Sequence, residues 1–315
     1  RVGDFPLIFR LSADEYAPGG LTVEEAGPVC RWLVEAGVDA ISVTAACYRS
    51  QPSAAMMIPP MAYPEGVFLH LARAVKAVVS VPVIAVGRIH DPALAERVVA
   101  EAQADMVALG RQLIADPEWP LKVREGRLED IRPCISCNTC VDGMRDGSQL
   151  YCLVNPAVGR EDQYRLTATD RPRRILVVGG GPAGMEAARV LAARGHRVTL
   201  CEGDKHLGGQ LTRAAKAPFF QNVETNASVL LKIVGFLESQ LGKVGVEVRH
   251  GQPVTAQLVK ALQPDVVVLA TGASYRLPFF WVRLLLDTQW ARGRLLKPLL
   301  RKALVKHLFY NVLRK

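Results

Sequence analysis

The chain has 315 residues, half of them apolar and 22% charged, which suits a globular protein of about two domains and excludes a disordered chain. Its net charge is +9, but nine Lys and Arg against one Asp lie between Trp281 and Lys315; the excess is local, and a general basic face for nucleic acid is excluded. Seven cysteines, four of them in one cluster, exclude a secreted disulfide scaffold and point to a reducing compartment, the cytoplasm, with the cluster committed to metal.

In chain order, FPLIFRLS (Phe5 to Ser12) reads as a strand that follows the N-terminus directly, without the pattern of a secretory leader. Leu21 to Gly37 has helical periodicity ending at Gly, and VDAISVTA (Val38 to Ala45) is a strand. Phe68 to Val79 is a helix, VPVIAVGRI (Val81 to Ile89) a strand, Pro92 to Gln103 a helix with Pro in its first turn, and ADMVALGR (Ala104 to Arg111) a strand. Continuous apolar strands separated by helices predict a parallel sheet covered on both faces, here half of a (β/α)₈ barrel. Residues 129–170 are rich in cysteines, turns and charges. RILVVGGGPAGMEAARVLAARGHRVTLCEGD (Arg174 to Asp204) then reads as strand, glycine turn, helix, strand. A helix from Ala227 to Gly245, the strand VEVRHG and the buried strand PDVVVLATGA (Pro264 to Ala273) follow. The predicted organisation is therefore a half barrel (1–128), a cysteine segment (129–170), a Rossmann-like region (171–280) and a basic tail (281–315). No apolar run reaches the roughly 18 residues of a membrane span.

Gly179-Gly180-Gly181-Pro182-Ala183-Gly184 fits G-x-G-x-x-G between a strand and a helix, and Glu202 ends the next strand eighteen residues after Gly184. In that setting Gly179 permits the tight turn, Gly181 the approach of a pyrophosphate and Gly184 close helix packing, while Glu202 accepts from ribose hydroxyls. Gly209 and Gln210, in LGGQ, read either as a second close approach to a dinucleotide or as an ordinary loop. Cys134, Cys137, Cys140 and Cys152 form C-x2-C-x2-C-x11-C. Four thiolates suit zinc or an iron–sulfur cluster, and the compact triplet with a remote fourth favours [4Fe–4S]. Arg10 lies inside the first strand, where a buried cation needs an acceptor. Gly87-Arg88 and Gly110-Arg111 end the third and fourth strands, where barrel sites hold phosphate, although surface arginines after glycine turns give the same pattern.

The motifs FRLSADEYAPGGLT, IPPMAYPEG, VIAVGRIHDP, MVALGRQLIADPEWP, RPCISCNTC…CLVNPAVGRE, VVGGGPAGMEAA, LGGQL and VVVLATGA resemble the Old yellow enzyme-related flavoproteins of the 2,4-dienoyl-CoA reductase and trimethylamine dehydrogenase type, over about residues 1 to 278. The resemblance implies an α/β protein with the C-terminal half of an FMN-binding TIM barrel, a [4Fe–4S] linker and a Rossmann-like FAD/NAD(P)-binding region. Arg10 would contact the flavin pyrimidine, Gly87, Arg88, Gly110 and Arg111 the FMN phosphate, and Gly179, Gly181, Gly184 and Glu202 the FAD. The implied reaction is NAD(P)H-dependent reduction of an unsaturated carbonyl or acyl-CoA, with electrons passing from FAD through the cluster to FMN. Amine oxidation with the reverse flow, or a non-catalytic electron-transfer subunit, are the alternatives. The first strand resembles barrel strand five, which predicts either a missing N-terminal half or a partner chain that completes the barrel. Some dienoyl-CoA reductases carry a His proton donor after strand six; here the loop ACYRSQPS offers Tyr48, which either donates a proton, packs or binds substrate. After Pro278 the family pattern ends. The amphipathic tail reads either as helices packed on the body or as a contact for a partner or a membrane surface.

Overall fold

A computed structural model describes residue 3 and residues 5–49, 51–215 and 227–273. The expected alternation forms two four-stranded parallel sheets. In the first, β1 (Ile8–Ser12), β2 (Ala40–Thr44), β3 (Val83–Ala85) and β4 (Met106–Val107) follow one another in spatial order. In the second, β5 (Arg174–Val178), β6 (Arg197–Cys201), β7 (Glu247–Arg249) and β8 (Val266–Leu269) adopt the order β7-β6-β5-β8.

The first sheet is the expected run of barrel-type units. Helices Val23–Glu35, Leu69–Lys76 and Pro92–Ala100 connect its strands. The last begins as its sequence predicts: Pro92 occupies the first turn, and Asp91 caps it by accepting from the Ala93 amide at 3.0 Å. Ile41, Val43, Val83 and Ala85 meet Phe68, Leu71, Val75 and Val98 in a closed apolar core, which accounts for the near-continuous apolar runs of β2 and β3. The expected strand Val81 to Ile89 is shorter than its apolar run. It ends at Ala85 because Gly87 and Arg88 take φ of 124° and 55°, which no strand continues.

Arg10 departs from its expectation. Among the described residues β1 is an edge strand, paired with β2 alone, and Arg10 is exposed, not buried. Phe5, Leu7, Ile8 and Phe9 around it are exposed as well.

The second sheet is parallel and doubly wound. Its strand order reverses between β5 and β8, and such a switch point opens a crevice at the carboxyl ends of the strands. Helices Pro182–Ala193 and Ala227–Lys243 pack on it through Met185, Ala188, Ile233, Leu237 and Leu241. Ile135 and Val154 of the cysteine segment enter this same core. Part of the expected Rossmann region (216–226 and 274–280) and the whole basic tail lie outside the described residues.

Candidate redox site

At the switch point the loop after β5 is pressed against the loop after β8. A Cβ on Gly179 (φ 106°) would overlap the Ala270 carbonyl, and one on Gly184 would overlap the Gly179 carbonyl. Only glycine lets strand, loop and helix close to this distance, the packing that brings a helix N-terminus onto a pyrophosphate. Glu202 leaves the end of β6 and turns into the loop: its Oε2 accepts from the Gly180 amide at 2.6 Å, and its Oε1 from the Asp204 amide at 2.9 Å. The LGGQ loop joins the same place. The Gly208 amide donates to the Gly180 carbonyl at 2.9 Å, a Cβ on Gly209 would stand 3.0 Å from the Gly181 Cα, and one on Gly272 would stand 3.8 Å from Gln210 Nε2. Gly179, Gly181, Gly184, Glu202, Gly209 and Gln210 thus form one constellation.

The four clustered cysteines also converge. Cys134, Cys137, Cys140 and Cys152 line a single pocket with Arg111, Ile114, Ile135, Asn138 and Val154. All seven cysteines of the chain are free. Among the described residues no three His, Cys, Asp or Glu side chains are arranged to hold a single metal ion. Burial pushes the Cys134 thiol up to about 11, opposed by the Ser136 amide, which lies 3.4 Å from its Sγ, and by Arg111. Burial likewise raises Cys140 and Cys152. Two residues between these cysteines take left-handed backbone, Ser136 (φ 51°) and Asn138 (φ 61°). The chain thereby wraps tightly enough to turn successive thiols inward, and asparagine tolerates this conformation better than most residues.

The segment is held from both sides. On the barrel side, Arg88 Nε donates to Ser136 Oγ at 3.0 Å, His90 Nε2 lies 2.9 Å from the same oxygen, and Arg88 also donates to the Tyr63 carbonyl. Arg111 Nη1 donates to Asn138 Oδ1 at 2.5 Å, and Asn138 Nδ2 donates to the Ile58 carbonyl at 2.8 Å. Gln112 bridges the Cys134 amide and the Arg132 carbonyl. On the side of the second sheet, Arg132 pairs with Glu186 at 3.2 Å and lies over the Phe236 ring at 4.9 Å. The resemblance implies that Arg88 and Arg111 contact a flavin phosphate; in the fold Arg88 bonds to Ser136 and the Tyr63 carbonyl, and Arg111 to Asn138, partners that take up only part of each guanidinium's donors. Gly87 and Gly110 remain at the ends of their strands, and a Cβ on Gly110 would meet nothing within 4 Å. Tyr48 is 66% exposed, with the Arg145 guanidinium 5.7 Å from its ring. Ser136, His90 and Arg132 escape the sequence reading because nothing local marks them. Asn138 alone carries a signal, as an asparagine inside a C-x2-C turn.

The described residues thus combine four barrel-type βα units, a pocket lined by four thiols and a glycine-rich switch point in a second parallel sheet. Residues 1–130 match the NADH:flavin oxidoreductase / NADH oxidase family, and residues 174–273 match the FAD dependent oxidoreductase family. The chain is 45% identical over 273 residues to an NADH oxidase of Thermoanaerobacter brockii, covering 86% of this chain and 40% of that protein. It is 38% identical over 274 residues to an N,N-dimethylglycine/sarcosine dehydrogenase of Chromohalobacter salexigens, covering 85% and 38%. Among solved structures, a 2-naphthoyl-CoA reductase in complex with 2-naphthoyl-CoA superposes with a TM-score of 0.80 at 34% identity, covering 87% of this chain and 41% of that one. The chain belongs to the Old yellow enzyme-related iron–sulfur flavoprotein family. It spans about 40% of the length of the curated relatives it matches.

Proposed function

We propose that this chain carries the electron-relay portion of an NAD(P)H-dependent flavoprotein that reduces activated C=C bonds in α,β-unsaturated carbonyl or acyl-CoA substrates. The observation that carries the reading is the four-cysteine pocket, held between a flavin-type half barrel and a dinucleotide crevice. Four soft donors lining one pocket suit zinc or iron–sulfur chemistry, and the compact triplet with a remote fourth favours a [4Fe–4S] cluster. The amide donor near Cys134 suits the same assignment, because such bonds tune cluster potential.

Bound in the crevice, the thiol pocket and the half barrel, an FAD, a [4Fe–4S] cluster and an FMN would supply hydride acceptance, one-electron transfer and hydride donation respectively. The residues of this chain have simpler duties. Gly179, Gly181 and Gly184 open the crevice to a pyrophosphate, and Glu202, now bonded to the Gly180 amide, is set to accept from a ribose hydroxyl. Gly87 and Gly110 offer backbone at the mouth of the half barrel for the FMN phosphate. Cys134, Cys137, Cys140 and Cys152 would hold iron, and Ile135 and Val154, packed in the second core, would shield it from water. Tyr48, exposed on the loop after β2, is the proton donor of this reading. The apolar edge of β1 is covered by further barrel strands, from the same polypeptide or a partner chain, and its exposed Arg10 meets the flavin pyrimidine there. Seven free thiols suit the cytoplasm.

The test is anaerobic isolation, with iron, sulfide and flavin analysis and assay of NADH- and NADPH-driven enone reduction. Stoichiometric iron, sulfide and flavin with enone turnover support the reading. Zinc without iron in a colourless protein ends it. A second reading, oxidation of an N-methylated amine with electrons flowing outward, is favoured by the dimethylglycine/sarcosine dehydrogenase relative; amine-dependent bleaching of the flavin without enone turnover selects it. Iron and FAD without FMN or turnover select an electron-transfer subunit.

A further inference from the structure

Resting on the cluster reading above, we infer that Gln112 is a positioning residue for the first cysteine of the quartet: its side-chain amide fixes the backbone on either side of Pro133 and so aims the Cys134 thiol into the pocket. Gln112 is 1% exposed, and a primary amide removed from water costs stability unless its two ends are bonded. Both are. Its Oε1 accepts from the Cys134 amide at 3.0 Å, and its Nε2 donates to the Arg132 carbonyl at 2.9 Å. An apolar side chain of the same length fills this space without either bond, so packing alone does not call for glutamine.

Pro133, between those two backbone groups, has no N–H to donate. The other amide of the run, on Arg132, donates to Asp116 Oδ2 at 2.7 Å. Every backbone N–H from 132 to 134 is thus taken by a side chain of one short stretch, Gln112 in helix Arg111–Ala115 and Asp116 at its C-cap. Asp116 is held in its turn by Lys122 at 2.8 Å. All of these partners are groups of the chain itself. The consequence is register, because a buried polar contact that is fully satisfied selects one arrangement. In that register Cys134 lines the pocket, Ile135 enters the second core, and the Ser136 amide lies 3.4 Å from Cys134 Sγ. A slip of one residue would bring Pro133, which has no thiol, to the place of Cys134. Gln112 therefore acts through the ligand it orients, and outer partners of this kind govern how firmly a metal centre is retained.

The experiment uses the 315-residue chain, isolated anaerobically as wild type, Gln112→Met and Val98→Ala. Val98, buried in the half-barrel core, supplies a control whose loss of stability is remote from the cysteines. Denaturant midpoints rank the overall stability of the three. Iron and sulfide content, the rate of iron release to a ferrous chelator and the electron paramagnetic resonance signal of the reduced protein are then compared. Release about 10-fold or more faster in Gln112→Met, or an altered signal, with wild-type behaviour in Val98→Ala, is the expected result. Gln112→Met isolated without iron while Val98→Ala keeps it counts the same way. Wild-type release and signal in Gln112→Met overturn the inference. Equal changes in both variants also overturn it, because general loss of stability then accounts for them. If Gln112→Met does not fold, Gln112→Asn, whose shorter amide cannot span both backbone groups, is read by the same outcomes. A wild-type chain without iron and sulfide defeats the cluster reading itself and this inference with it, a failure distinct from the others because it appears before any substitution is made.

Discussion

Arg88 Nε and Ser136 Oγ lie 3.0 Å apart although the residues are 48 positions apart in sequence. The bond joins the loop that ends β3 to the turn between Cys134 and Cys137, and His90 completes it from the same loop. Ser136 is fully buried and Arg88 and His90 nearly so. Ser136→Ala therefore strands a buried guanidinium N–H and an imidazole nitrogen. The expected loss of stability is about 1–3 kcal/mol, read from denaturant unfolding. A change below about 0.5 kcal/mol contradicts the role given to this contact.

His90 sets a pH dependence. Burial, opposed by Glu65, lowers its pKa from 6.5 to about 4, so it is neutral in the folded protein near pH 7. Between those values the unfolded chain binds more protons. Stability is thus full above about pH 6.5 and falls as the pH drops toward 4, with a slope of at most about 1.4 kcal/mol per unit from this one group. Denaturant midpoints from pH 7 to 4.5, compared between wild type and His90→Gln, isolate it. Parallel curves refute the assignment.

Gly184→Ala inserts a methyl group where the Gly179 carbonyl already stands. The obstacle is backbone, so the helix must move away from β5. The expected outcome is a loss of about 1–3 kcal/mol with weakened retention of FAD, measured by thermal unfolding and by flavin release on gel filtration. An Ala variant with wild-type FAD retention removes the crevice from the binding site.

Cys134→Ser replaces a soft donor with a poor iron ligand. Iron and sulfide are expected to fall to a small fraction of wild type. Cys30→Ser, in the half-barrel core, is expected to keep both. If the two variants retain equal iron, the quartet is not the ligand set.

The sequence and the fold agree where chemistry is written into short spacing. The βα alternation depends on neighbours along the chain and folds as its pattern implies, and the glycines and cysteines picked out by spacing come together in the fold. Less is legible where direction is decided by packing. Gly87-Arg88 and Gly110-Arg111 read as phosphate ligands because of their place at strand ends. Whether their side chains face a flavin or the segment behind them depends on residues 25 to 48 positions away, among them Tyr63, Ser136 and Asn138. Arg10 reads as buried because its strand is apolar, yet only a neighbouring strand on its outer side would bury it. Ser136 is one serine among many until the left-handed turn between two cysteines places it.

The wall around the thiols draws on distant stretches of polypeptide: Arg111 comes before the cysteines, and Ile135 and Val154 lean on strands and helices that continue to Val268. During synthesis the four sulfurs therefore leave the ribosome well before their enclosure exists. Were the pocket to hold a cluster, the packing of Ile135 and Val154 on the second sheet would complete its surroundings only after β8 had been made.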